Sequence, residues 1–199
     1  KNYTWRSIQR KEENKRQLQA ELNLPQDPQI PVLGLVSRLA AQKGLDLLAH
    51  VLEEILDLNL QLIILGTGEK EYEDLFRNYS SRYPDKLSTQ ITFDNELAHK
   101  IYAASDLFLM PSLFEPCGLG QLIALRYGAL PLVRETGGLK DTIKAYNEKT
   151  NEGNGFSFAN YNAHELLFTI QRALKLYQTE KETSWKKMAV RAMRQDFSW

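Results

Sequence analysis

The stretch Leu60-Gln61-Leu62-Ile63-Ile64-Leu65-Gly66-Thr67-Gly68 decides the fold class. Its apolar run is too short for an ordinary helix and fits a strand buried on both faces. Gly66-Thr67-Gly68 ends the run sharply, and residues 69–82 then favour a helix. A buried strand followed at once by a helix is a βα unit. Repeated, such units imply parallel strands joined by crossovers.

The alternation continues in both directions. Upstream, residues 7–22 are charged and helix-favouring, and Pro25, Pro28 and Pro31 end that helix and launch a strand at Val32–Val36. Leu45, Leu48, Leu52, Ile55 and Leu56 recur at helical spacing. Downstream, strands are expected at Gln90–Phe93, Leu107–Met110, Leu130–Val133 and Phe156–Phe158. Helices are expected at Glu96–Ala104, Gly118–Tyr127, from near Leu139, around Leu166–Tyr177 and over about 183–194. The expected fold is α/β: one doubly wound, Rossmann-like domain spanning residues 1–199, with about six parallel strands.

Composition narrows the function classes. Lys+Arg and Asp+Glu both total 25 in 199 residues, so the formal net charge is zero. That balance argues against a dedicated binder of nucleic acid or anionic membrane. No apolar stretch approaches the ~20 residues of a membrane-spanning helix, and no signal or lipidation motif is present. Cys117 is the single cysteine, so an internal disulfide and a cysteine metal cluster are both excluded. A reducing compartment is the natural reading. The chain opens on Lys1 and stops on Phe197-Ser198-Trp199, which reads as a domain cut from a longer protein.

In a doubly wound sheet, ligands bind outside the carboxyl ends of the strands. Ser37-Arg38, Gly66-Thr67-Gly68, Phe93-Asp94, Pro111–Gly118 and Arg134–Gly138 each follow a strand, so all converge on one edge. That convergence points to a polar or anionic small ligand. Arg38 and Lys43 can neutralise a diphosphate from two sides; the competing reading is a pair of solvated surface cations. Glu115, at the mouth of the fourth strand, can accept hydrogen bonds from sugar hydroxyls while the Gly118 and Leu119 N–H groups face an anion. Its competing role is to complement a helix dipole. Cys117 reads as a small buried filler, because no histidine lies near it in sequence to act as a base. His50, His99 and His164 sit in helical stretches and suit packing or surface roles. The glycines of Thr136-Gly137-Gly138 permit close backbone approach, and the competing reading is an ordinary βα loop. No Asp-x-Asp pair suggests a metal held by paired carboxylates.

Three runs carry a resemblance. Val36-Ser37-Arg38-Leu39-Ala40-Ala41-Gln42-Lys43-Gly44, Pro111-Ser112-Leu113-Phe114-Glu115-Pro116-Cys117-Gly118-Leu119 and Thr136-Gly137-Gly138-Leu139-Lys140-Asp141-Thr142 resemble the C-terminal domain of bacterial glycogen synthases and plant starch synthases. The closing Asp196-Phe197-Ser198-Trp199 fits the same family, and the likeness runs from about Asn14 onward. The resemblance implies the C-terminal half of a GT-B fold, in a retaining glycosyltransferase that moves glucose from ADP-glucose to an α-1,4-glucan. It implies that Arg38 and Lys43 grip the diphosphate, that Glu115 holds the transferred glucose and that the backbone of Cys117, Gly118 and Leu119 lines the sugar–phosphate pocket. Phe93 is expected near the nucleoside base. Ser37, Gly66, Gln121, Thr136 and Gly137 complete the expected donor-binding set. ADP-glucose enters as substrate, with no cofactor and no metal. The α-glucan acceptor is expected on an N-terminal domain outside this chain, and the location is a bacterial cytoplasm or a plastid stroma. Ile123 stands where many relatives carry a second glutamate, which bears on a ribose contact, and Gly120 replaces a frequent threonine. Two other readings stand beside this one: another retaining GT-B transferase of sucrose or trehalose type, and a nucleotide-binding module without catalysis.

Overall fold

The computed structural model describes residues 1–198, so Trp199 of the closing motif lies outside the described residues. Six strands form one parallel sheet: β1 (Val32–Val36), β2 (Gln61–Leu65), β3 (Leu87–Gln90), β4 (Leu107–Met110), β5 (Leu130–Arg134) and β6 (Phe156–Phe158). Their order is β3-β2-β1-β4-β5-β6. The order reverses between β1 and β4, so a crevice opens there at the carboxyl edge.

Helices cover both faces. They are α1 (Lys11–Glu21), α2 (Leu45–His50), α3 (Leu52–Leu56), α4 (Lys70–Arg82), α5 (Asn95–Ala104), α6 (Gly120–Arg126), α7 (Gly137–Thr142), α8 (Ala163–Glu180) and α9 (Lys186–Arg194). Alternation within β2 shows how the two cores are divided. Leu62 and Ile64 join a large cluster with residues of α2, α3, α4 and α8. Ile63 and Leu65 join a second cluster with Leu18 of α1 and with Leu97 and Ile101 of α5. Every residue of β2 is buried, as its apolar run requires.

Three expectations are corrected. The third strand lies at Leu87–Gln90, not Gln90–Phe93. Leu62 N–H donates to the Lys86 carbonyl and Gly66 N–H to Gln90, which sets the register three residues earlier. The sixth helix begins at Gly120, because Gly118 has φ +70° and does not continue a right-handed helix. The first helix ends at Glu21, ahead of the prolines, where Asn23 turns left-handed at φ 58°.

At the amino edge of the sheet, α1 buries two lysines. Lys15 Nζ donates to Asp106 at 2.9 Å, to the Tyr177 hydroxyl at 3.0 Å and to the Pro28 carbonyl at 3.1 Å. Asp106 also accepts from Val32 N–H at 2.8 Å. Lys11 Nζ donates to the carbonyls of Tyr102, Ala103 and Tyr127, where α5 and α6 end. Burial nonetheless pulls the Lys11 ammonium down to about 7.

Candidate functional site

The crevice between β1 and β4 holds a cavity of about 520 Å³, lined among others by Ser37, Arg38, Lys43, Ser112, Glu115 and Leu119. Each polar residue reaches it because a strand ends beneath it. Ser37 and Arg38 follow β1, and Lys43 lies in the 3-10 turn Ala41–Lys43 that leads into α2. Ser112 and Glu115 follow β4. Gly44 makes the junction possible. At φ +80° its Cα lies so close to the β4 loop that a Cβ would sit 2.0 Å from the Pro111 carbonyl oxygen.

Hydrogen bonds stitch the loops of this edge into one rim. Leu39 N–H donates to Thr67, and Glu69 N–H donates to Leu39. Leu113 N–H donates to Gln42 at 3.0 Å across the switch point. Gly138 N–H donates to the Glu115 and Pro116 carbonyls, both at 3.1 Å. A Cβ on Gly138 would fall 1.9 Å from the Cys117 oxygen, so only glycine lets α7 come this near.

Lys43 and Glu115 form an ion pair at 2.8 Å, with side-chain exposures of 25% and 14%. Ser112 Oγ donates to the same carboxylate oxygen at 3.3 Å. The pair is dry enough to be strong yet open enough for a ligand to reach. Arg38 is exposed and has no carboxylate within salt-bridge distance among the described residues. A guanidinium without a carboxylate partner and an ammonium on the same cavity can together take an anion with two acceptor groups.

The structure thus brings Ser37, Arg38, Lys43, Glu115 and Leu119 onto one cavity. Other expected residues fall elsewhere on the edge. Gly66 packs against the Ser37 carbonyl, 1.9 Å from where its Cβ would be. Phe93 lies in the β3–α5 loop with 93% of its surface exposed. Cys117 is exposed, which corrects its reading as a buried filler. Gly118 bends the loop ahead of α6, Thr136 stands just before α7 without a side-chain capping bond, and Gly137 begins it. His50 and His164 face one another at the surface with ring centroids 5.8 Å apart, and His99 Nδ1 lies 2.9 Å from the Tyr127 hydroxyl.

Gln121 requires a correction. Its side chain is fully buried beneath the loop and does not line the cavity. Nε2 donates to the Cys117 carbonyl and to Thr142 Oγ1, both at 3.2 Å. Thr142 Oγ1 in turn donates to the Gly138 carbonyl at 2.7 Å. The Gln121 amide therefore holds the loop from below, and its Oε1 has no partner.

Sequence reasoning missed two residues that hold the loop from its other side. Arg134, last in β5, donates through Nε to the Ser112 carbonyl at 2.8 Å, and through its terminal nitrogens to the carbonyls of Leu113 and Ala159. Tyr161 carries that guanidinium over its ring, 5.6 Å from the centroid. The Tyr161 hydroxyl donates to the Asp46 carboxylate and lies 3.3 Å from the Ala41 carbonyl. Burial, and then the bond to Asp46, push the Tyr161 phenol well above its ordinary pKa, so it remains a donor. A polar residue ending a buried strand was the available signal for Arg134. Nothing local marked Tyr161.

No helix is long and apolar enough to cross a membrane, and no group of three or more His, Cys, Asp or Glu is arranged to hold a metal, among the described residues.

Comparison with known proteins agrees with this fold. The family described as glycosyl transferases group 1 matches residues 14–191. A glycogen synthase of Clostridium botulinum (strain Eklund 17B / Type B) is 59% identical over 199 residues, all of this chain and 41% of that protein. A glycogen synthase of Desulforamulus reducens is 55% identical over 198 residues, again 41% of that protein. The chain therefore spans about two fifths of the length of these curated relatives. Among solved structures, the catalytic domain of starch synthase IV from Arabidopsis thaliana, bound to ADP and acarbose, superposes with a TM-score of 0.92 at 35% identity. It covers all of this chain and 41% of that one. Anabaena Alr3699/HepE in complex with UDP-glucose shares the fold, with a TM-score of 0.70 at 20% identity over 91% of this chain and 47% of that one. The architecture is that of the C-terminal domain of GT-B glycosyltransferases, and the chain belongs to the glycosyl transferases group 1 family.

Proposed function

We propose that this chain is the donor-binding part of a glycogen synthase, which transfers glucose from ADP-glucose to the non-reducing end of an α-1,4-glucan with retention. The observation that carries this reading is the cavity at the switch point, where unpaired Arg38 and the Lys43–Glu115 pair meet. The glycogen synthase relatives support it, as does the ADP bound to the Arabidopsis thaliana starch synthase.

The chemistry follows from charge. When the glycosidic bond to the diphosphate breaks, negative charge grows on the departing ADP. Arg38 and Lys43 are preorganised against that charge, an effect worth about 3–4 kcal/mol for one well-placed donor. Glu115 accepts hydrogen bonds from the glucose hydroxyls and holds the ring over the reacting bond. Lys43 leaves its pairing with Glu115 in part as the diphosphate enters, and the incoming negative charge compensates it. Phe93 offers an exposed ring for the adenine to stack on. The acceptor glucan binds the remainder of the full-length protein, which also completes the active site. ADP-glucose is a substrate, and the reading asks for no cofactor or metal. A bacterial cytoplasm or plastid stroma, both reducing, goes with it.

The test is glucose transfer by the full-length protein, offered ADP-glucose and UDP-glucose with an α-glucan acceptor. Calorimetry with ADP on Arg38→Ala and Lys43→Ala accompanies it. Turnover with ADP-glucose and weakened ADP binding in both variants are expected. No transfer from either donor, or ADP binding unchanged in both variants, overturns the reading.

A further inference from the structure

Arg134 and Tyr161 lie outside the cavity lining, yet together they join the two loops that build it. The Arg134 donors point inward, to three backbone carbonyls on two different loops. Two of these, Ser112 and Leu113, are the arm that leads into Glu115. The third, Ala159, lies just before Tyr161. Tyr161 then reaches Asp46 and Ala41, which flank Lys43 and the start of α2. The path is thus Glu115 arm, Arg134, Tyr161, Lys43 arm. It runs outside the cavity and parallel to the direct Lys43–Glu115 contact within it.

The parallel path matters because the direct contact cannot persist unaltered. A diphosphate that draws on Lys43 removes part of what orients Glu115. The carboxylate then depends on whatever else fixes its loop. A planar guanidinium with donors on two edges and a ring against its face is suited to that task, whereas a lysine ammonium is not. We propose that Arg134, supported by Tyr161, is a positioning residue. It holds the Glu115 loop in register with the Lys43 loop while the donor is bound. This inference rests on the donor reading given above.

The test uses the full-length protein and its Arg134→Lys, Arg134→Ala and Tyr161→Phe variants. With ADP-glucose, Arg134→Lys is expected to lower kcat about 10-fold while KM changes less than about threefold, with little change in thermal midpoint. Tyr161→Phe keeps the ring beneath the guanidinium but breaks the link to Asp46, and a loss of about threefold is expected. The double variant should fall no further than Arg134→Lys alone, because both act through one path. Amide hydrogen exchange supplies a readout that needs no substrate. In Arg134→Ala, peptides covering residues 37–45 and 111–119 should both exchange faster, with the sheet strands unchanged. Faster exchange confined to 111–119, or a loss of kcat that tracks a fall in thermal midpoint, overturns the proposal. If the wild-type protein fails to turn over ADP-glucose, the donor reading falls, and exchange in the two peptides still decides the strut.

Discussion

The two edges of the sheet use the same residue types for opposite ends. At the amino edge, Lys15 is buried, and its ammonium finds three acceptors, the partly buried Asp106 carboxylate among them. At the carboxyl edge, Lys43 and Glu115 are partly open and Arg38 has no carboxylate partner. A satisfied buried charge is part of the fold and has nothing left to offer a ligand. A charge left open at the mouth of parallel strands is available for one. Substitutions at the first edge should therefore cost stability, and those at the second should cost activity.

The largest effect is expected at the amino edge. Asp106→Ala leaves the Lys15 ammonium buried without its counter-charge and should lower unfolding free energy by about 3–5 kcal/mol in a urea titration. Near-wild-type stability would erase the distinction between the edges. Next is Arg38→Ala, expected to reduce kcat/KM for ADP-glucose about 100-fold while stability stays within ~0.5 kcal/mol. A stability loss comparable to that of Asp106→Ala would show that Arg38 is structural.

A smaller effect sharpens the comparison through pH. The Lys11 pKa is lower in the folded state, about 7, than in the unfolded chain, where it is the ordinary lysine value. Between those values the unfolded state binds more protons, so stability rises with pH through that window. Wild-type protein should gain about 2 kcal/mol between pH 7 and 9 relative to Lys11→Met. A flat profile over that range would show that the three carbonyls around Lys11 outweigh its desolvation. The smallest effect belongs to the exposed Phe93. Phe93→Ala should weaken ADP binding about fivefold by calorimetry, through lost stacking, with no change in thermal midpoint.

Much of this was legible along the chain. The strands β1, β2, β4 and β5 follow from short apolar runs, because burial on both faces demands such runs, and β6 was marked by the two phenylalanines that flank Ser157. The third strand was displaced because Leu87-Ser88-Thr89-Gln90 is half polar and lies at the sheet edge, where burial imposes a weaker pattern. Arg38, Lys43 and Glu115 were legible because each follows a strand end. The burial of Gln121 was not legible: its place in the motif is local, but its burial depends on the loop and α7 packing above it.

The sequence alone determined the parallel alternation, the carboxyl edge where the strand-end loops gather and the charges those loops carry. Those properties follow from hydrophobic period and from glycine and proline positions, which act over a few residues. Only the tertiary structure decided that Lys43 pairs with Glu115 across 72 positions, that Gln121 supports the loop, and that Arg134 and Tyr161 join its two arms. Such contacts arise where distant strand ends are brought side by side, and they leave no period in the chain to read.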